Sequence, residues 1–350
     1  MSNLSPICSN REGKPTWQDV PEVLKEEISA LLGAKVVYGE IAWGGYSPSA
    51  SYIISLANGQ KYFVKGTHPE QMSHGAKMLD QEIEAYQNLD FLQKFCPSYY
   101  GSVSVGGEDD WYLGIWQYIE DSQPILPWTG NKVEAVISHL ALLHTYYKED
   151  QPQNILTAEQ TNFVSMFIKG HNGWDRLKTE TKFQKRFIDL FTENETQAQL
   201  WFEKTQPLLL DQLNKISKVK CPKGLLHFDL RSDNILYHPS KETLFLDWPN
   251  VCWGPVLLDL AHFLPSITAE GGETCSKLFQ LYLNKTGFDL DEKETLPFIA
   301  SLSAYYAMNA FRLVPDKLPR LRIMQKKTLF ALLCWASDLL NVQRPPPISV

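Results

Sequence analysis

The sequence has no apolar run approaching the ~18 residues of a membrane-spanning helix, and Met1 to Lys14 is polar, without the apolar centre of a secretion signal. Its six cysteines, Cys8, Cys96, Cys221, Cys252, Cys275 and Cys334, lie far apart. None forms a Cys-x-x-Cys pair or a zinc-like spacing with histidine, which argues against a zinc module and a disulfide framework. These absences predict a cytoplasmic protein with reduced thiols and no membrane partner. Positive charge is scarce as well: 33 Lys and Arg stand against 40 Asp and Glu, a formal net charge of −7. Without a basic field or basic cluster, nucleic acid is not an expected partner. No internal repeat or low-complexity stretch is visible. What remains is 350 residues, 44% hydrophobic and 21% charged, enough for two lobes with their own cores.

The hydrophobic pattern changes along the chain. Val23, Leu24, Ile28, Leu31 and Leu32 recur at helical spacing, started by Pro21 and stopped by Gly33. Strand signals follow at Val36 to Ala42, Tyr52 to Leu56 and Lys61 to Lys65, the last two joined by Asn58-Gly59. Helical spacing returns from Leu79 to Leu92, then strand character at Gly101 to Val105 and Trp111 to Tyr118. Beyond Ile119 the periodicity is mostly helical: Val133 to Tyr147, Thr196 to Ile216, Cys275 to Lys285, Leu296 to Phe311 and Ile323 to Leu340. The expectation is an α+β chain with a small antiparallel β-sheet lobe at 1–118 and a larger, mainly helical lobe at 119–350.

The most informative stretch is Leu225-Leu226-His227-Phe228-Asp229-Leu230-Arg231-Ser232-Asp233-Asn234, followed one short hairpin later by Leu246-Asp247. The spacing H-x-D-x-x-x-x-N with an aspartate one strand later is a kinase catalytic-loop signature. Its chemistry is in-line phosphoryl transfer, in which the protein positions groups and stabilises charge. Asp229 can take the proton of a substrate hydroxyl, and Asn234 and Asp247 offer hard oxygen ligands to magnesium. Arg231 has a fork suited to phosphate oxygens, the competing role being a structural pairing with a neighbouring carboxylate.

Four further features lie in the first lobe. Gly44-Gly45-Tyr46-Ser47, between two strands, lets backbone N–H groups approach phosphates, although a glycine pair there also serves a plain hairpin. Lys65, at the end of the third strand, matches the lysine that contacts the α- and β-phosphates. Glu82 is the expected helix partner of Lys65, with Glu84 the alternative. Gln117 and Ile119 fall where the lobes join, with backbone groups that can meet an adenine edge.

With lysine, helix glutamate, catalytic loop and strand aspartate in this order, the chain resembles the aminoglycoside phosphotransferase and choline kinase-like family. The likeness runs from about Leu32 to Pro265, through Gly44-Gly45, Lys65, Glu82, His139-Leu140-Ala141-Leu142-Leu143-His144, His227 to Asn234, Leu246-Asp247-Trp248, Gly254-Pro255 and Asp259-Leu260-Ala261. It implies a two-lobed protein kinase-like fold and ATP as donor, GTP being the alternative. It also implies Mg²⁺, a small-molecule hydroxyl acceptor and a monomer or homodimer. By the same likeness Asp259 is the carboxylate that braces the catalytic loop. Asp247 and Asp259 are twelve residues apart, which leaves no room for the activation loop and peptide platform of a protein kinase. Two positions depart from the family pattern. Phe228 stands where glycine is common, and Pro249 stands where many relatives have a second carboxylate. They motivate a rival reading, a nucleotide-binding pseudokinase that regulates a partner. Trp174, Trp248 and Trp253 are candidates for an aromatic acceptor pocket, the competing role being core filling.

Overall fold

The computed structural model describes residues 11–69, 75–106, 110–147, 172–191 and 194–349. They divide into two units, each discontinuous in sequence. The first takes the chain up to Gln123 together with Asp233–Pro249 and Pro315–Arg320.

This unit is built on a five-stranded antiparallel sheet: β1 (Val36–Ile41), β2 (Ala50–Leu56), β3 (Lys61–Thr67), β4 (Tyr99–Val105) and β5 (Trp111–Gln117), in the order β1-β2-β3-β5-β4. Asn58-Gly59 turns β2 into β3, with Gly59 at φ 86°. Helix α1 (Glu22–Leu32) ends at Gly33, whose φ of 71° is the left-handed conformation that closes a helix. Leu24 and Ile28, one turn apart on α1, are fully buried beside Tyr52, Ile54, Val64, Leu113 and Ile115. Each such side chain stabilises the fold by roughly 1.5–3 kcal/mol. The period-2 alternation of β3 puts Tyr62 and Val64 into this core and sends Phe63 to the opposite face. There Phe63 packs with Leu79 and Ile83 of helix α2 (Gly75–Asn88) and with Trp116. Lys65, two residues on, shares that face, so strand geometry aims it at α2.

A small hairpin, β7 (Ile235–Leu236) with β8 (Leu244–Phe245), belongs to the same unit and is tied to it by Phe245 N–H donating to the Phe95 carbonyl at 2.7 Å. The Trp248 indole donates to the Phe245 carbonyl at 3.0 Å and is fully buried.

The second unit, Pro124–Ser232, Asn250–Val314 and Leu321–Val350, is mainly helical. Its helices are α3 (Gly130–Thr145), α4 (Gly173–Thr179), α5 (Thr181–Ile188), α6 (Glu195–Leu213), α7 (Val256–Ala269), α8 (Cys275–Thr286), α9 (Leu296–Asn309) and α10 (Leu321–Leu339). A two-stranded ladder, β6 (Lys223–Leu226) against β9 (Cys252–Pro255), delivers the chain into the catalytic loop, with Leu226 opposite Cys252. Eleven of the fourteen residues of α7 are buried, so this helix is the spine of the unit, with α10 packed on it. Trp174 is fully buried and donates to the Ala300 carbonyl at 2.9 Å. Trp174 and Trp248 are therefore core residues, and only Trp253 of the three candidates is partly exposed. No helix among the described residues is long and apolar enough to cross a membrane.

Candidate active site

In the first unit the β1–β2 loop holds Gly44 at φ 154° and Gly45 at φ 71°. The second value is one that a side chain resists, so glycine is required where this backbone must turn and stay bare. Ser47, on the same loop, shares a 2.5 Å hydrogen bond with Ser49. The loop is fastened from a distant part of the chain. Arg320 donates to the Gly45 carbonyl at 2.9 Å, stacks over Tyr46 at 5.1 Å and grips the buried Glu12 carboxylate with two bonds of 2.8 and 2.6 Å. Lys14, two residues after Glu12, donates to Ser51 Oγ at 2.6 Å and lies within electrostatic range of Lys65 and Asp247. Burial pushes its amine down to about 8.

Lys65 is held between two carboxylates. Its ammonium is 2.9 Å from Glu82 Oε2 and 2.6 Å from Asp247 Oδ1. Burial opposes the charged amine, but Asp247 and Glu82 more than offset this and raise Lys65 above its usual range. Glu82 is 3% exposed, and burial raises its carboxyl despite Lys65 and a hydrogen bond from the Trp248 backbone. Asp247 sits at φ 67°, a conformation aspartate tolerates better than most residues. Asn234, 5% exposed, accepts at its backbone carbonyl from Leu246 N–H at 2.9 Å, which fixes the loop exit beside the segment after β8 that carries Asp247. Among the described residues no cluster of three His, Cys, Asp or Glu is poised for a metal. One carboxylate and one amide suit magnesium, a hard cation that keeps much of its water and takes substrate phosphate oxygens.

In the second unit the loop that starts at His227 is braced from α7. Asp259 is fully buried and accepts three hydrogen bonds, from His227 N–H at 2.9 Å, Phe228 N–H at 2.8 Å and His144 Nε2 at 3.2 Å. A carboxylate can only accept, so His144 Nε2 is the donor to Asp259, and Nδ1 on the other side of the ring is hydrogen-bonded to the Tyr282 hydroxyl at 2.8 Å. Burial opposes the Asp259 charge, yet His144 and His227 hold its carboxyl below the ordinary range. Phe228 has φ 61°, which is the physical reason glycine is favoured there; here its ring packs on His262 at 5.6 Å. At the far end of the loop Ser232 donates to Glu270 at 2.6 Å, and Trp128 holds the other oxygen of Glu270 at 2.9 Å. Asp229, between these anchors, is half-buried and paired with Arg231. Its N–H donates to His227 Nδ1 at 3.3 Å.

Two histidines of this unit, His139 buried and His262 half-buried, resist protonation. Burial pushes both His139 and His262 down to about 4 from an ordinary 6.5. Their folded values are depressed, so the stability they confer is complete above about pH 6.5 and is lost as pH falls towards 4, where the unfolded chain alone binds the protons. The melting temperature is expected to fall across that interval, and His262→Gln to flatten the fall; equal slopes for both proteins would contradict this.

Gln117 donates its backbone N–H to the Ser98 carbonyl at 2.8 Å, so a backbone donor to an adenine edge has to come from the residues after it, Ile119 among them. The sequence alone did not single out Glu12, Lys14, Arg320 or Glu270. Each depends on chain folded back from far away, and none lies in a motif. The Asp259 brace was foreseen only through the family likeness.

The model of the phosphotransferase enzyme family matches residues 39–292. No curated protein matches by sequence. Among solved structures, an aminoglycoside phosphotransferase from Alicyclobacillus acidocaldarius is 15% identical with TM-score 0.56, over 92% of this chain and 97% of that one. A spectinomycin phosphotransferase solved with ADP and spectinomycin is 15% identical with TM-score 0.55, over 92% of this chain and 100% of that one. The choline kinase of Streptococcus pneumoniae is 16% identical with TM-score 0.53, over 89% and 98%. All share the two-lobed α+β kinase-like fold.

Proposed function

The chain belongs to the phosphotransferase enzyme family, and from that premise we propose that it transfers the γ-phosphoryl group of magnesium ATP to a hydroxyl of a small molecule. The observation that supports this best is Lys65 held at 2.9 and 2.6 Å between Glu82 and Asp247. A half-buried ammonium locked in its charged state beside a glycine loop is what nucleotide phosphates require. GTP is the alternative donor.

In this reading Lys65 binds the α- and β-phosphates and Glu82 keeps it in place. The N–H groups of Gly44 and Gly45, with Ser47, line the phosphate path, and the backbone near Gln117 and Ile119 meets the base. Asn234 and Asp247 hold magnesium, which when bound neutralises phosphate charge. Asp229 orients the acceptor hydroxyl and takes its proton as the new O–P bond forms and the bond from γ-phosphorus to the bridging oxygen breaks, leaving ADP. Arg231 pairs with Asp229 before the acceptor arrives and faces the transferred group. The five described cysteines are free thiols, which supports a reducing, cytoplasmic setting.

Asp247→Ala is expected to lower the affinity for ATP in magnesium by about 10-fold or more and to remove the dependence of that affinity on the metal. Calorimetric titrations with and without EDTA check this. Equal metal dependence in both proteins would remove Asp247 from the metal site. The reading as a whole is tested by ADP release, which should rise on adding a small-molecule extract of the source cells; tight nucleotide binding with no stimulation would favour the pseudokinase.

A further inference from the structure

The positive charges of the second unit are not spread evenly around Asp229. Tyr305, on α9, lies within electrostatic range of Asp229, Arg231, Arg312 and Arg322. Tyr305 and Met308 lie three residues apart on α9, and Arg312, just past the end of that helix, is tied back to it by its Nε donating to the Met308 carbonyl at 3.2 Å. Arg322, in the first turn of α10, donates from Nε to the carbonyl of Leu313, the residue after Arg312, at 3.1 Å and from its other end to Gln325 at 2.5 Å, and it lies within electrostatic range of Arg312. Arg176, Arg320 and Arg344 each face a carboxylate. Arg312 and Arg322 face none among the described residues. In a chain of net charge −7, two guanidinium groups within electrostatic range of each other and with no carboxylate partner among the described residues are an unfavourable arrangement. Burial first, and the Arg312 charge second, lower the Arg322 guanidinium below its usual range. An anion that bridges the two forks relieves it, with bidentate hydrogen bonds that a lone ammonium cannot supply.

We propose that Arg312 and Arg322, with the Tyr305 hydroxyl, hold an oxyanion group of the acceptor, so that the acceptor is a small hydroxyl compound that also bears a carboxylate or a phosphate. This rests on the phosphotransferase reading above and sets the acceptor apart from a quaternary amine or a polycation. The acid group docks on the arginines, and a second, hydroxyl-bearing end of the same molecule meets Asp229. The transfer is the one already written: the hydroxyl oxygen gains phosphorus, its proton passes to Asp229, and ADP leaves.

The test separates an extract of the source cells by ion exchange into anionic, neutral and cationic pools before any reaction, with nucleotides removed from the first. Each pool is incubated with the protein, Mg²⁺ and γ-labelled ATP. Label is expected on a compound of the anionic pool, and Arg312→Gln/Arg322→Gln is expected to raise its KM by about 10-fold or more, with the double lysine variant recovering part of the loss. Label only on a neutral or cationic compound overturns the proposal and leaves the phosphotransferase standing. A double glutamine variant with lower kcat and unchanged KM overturns it too, because the arginines would then serve the transferred group. Label from no pool overturns the phosphotransferase reading itself.

Discussion

Asp229→Asn is expected to lower kcat by about 10²–10⁴-fold while magnesium ATP binds with nearly wild-type affinity. The two side chains have the same shape, and the loop that presents this position is fixed at both ends, by Asp259 and by Glu270. The substitution therefore removes basicity rather than geometry. The amide neither takes a proton nor offsets the Arg231 charge beside it. A factor of that size corresponds to about 3–5 kcal/mol of barrier. Single-turnover rates at saturating nucleotide measure the chemical step directly. A rate within a few-fold of wild type would show that Asp229 does not act as the base.

The largest effect on stability is expected at Asp259. In Asp259→Ala two backbone N–H groups and the His144 Nε2 proton lose their acceptor inside a fully buried site. Each orphaned donor costs about 1–3 kcal/mol, and breaking a buried pair costs about 3–5 kcal/mol in total, which is a third or more of a typical domain's stability. A urea midpoint lowered with the m-value unchanged would report the loss. Asp259→Asn keeps an acceptor oxygen and should lie between the two. A midpoint within error of wild type for Asp259→Ala would mean that the loop is positioned by something else.

The parts of this account that were legible in the sequence are those where chemistry and spacing coincide locally. The alternation in β3 and the glycines at positions 44, 45 and 59 mark the sheet, its turn and the loop between its first two strands. The run His227 to Asn234 marks the loop proposed as catalytic, because the roles proposed for it demand fixed offsets. Helix α7 was not legible as a helix: eleven of its fourteen residues are buried, Asp259 among them, and Pro265 lies within it. The clasp of Arg320 on Glu12 and Gly45 joins residues 308 and 275 positions apart, a closeness that no local pattern encodes. Arg312 and Arg322 lie in no motif, and their mutual electrostatic range depends on how the end of α9 and the start of α10 are placed.

The central claim is that this chain moves phosphate from a nucleotide to a small molecule. The most direct measurement follows γ-labelled ATP with magnesium and a small-molecule extract, for the wild-type protein and Asp229→Asn side by side, and asks where the label resides. Label is expected on a metabolite with the wild-type protein, and almost none with the variant. Label on protein, or equal labelling of a metabolite by both, would contradict the claim.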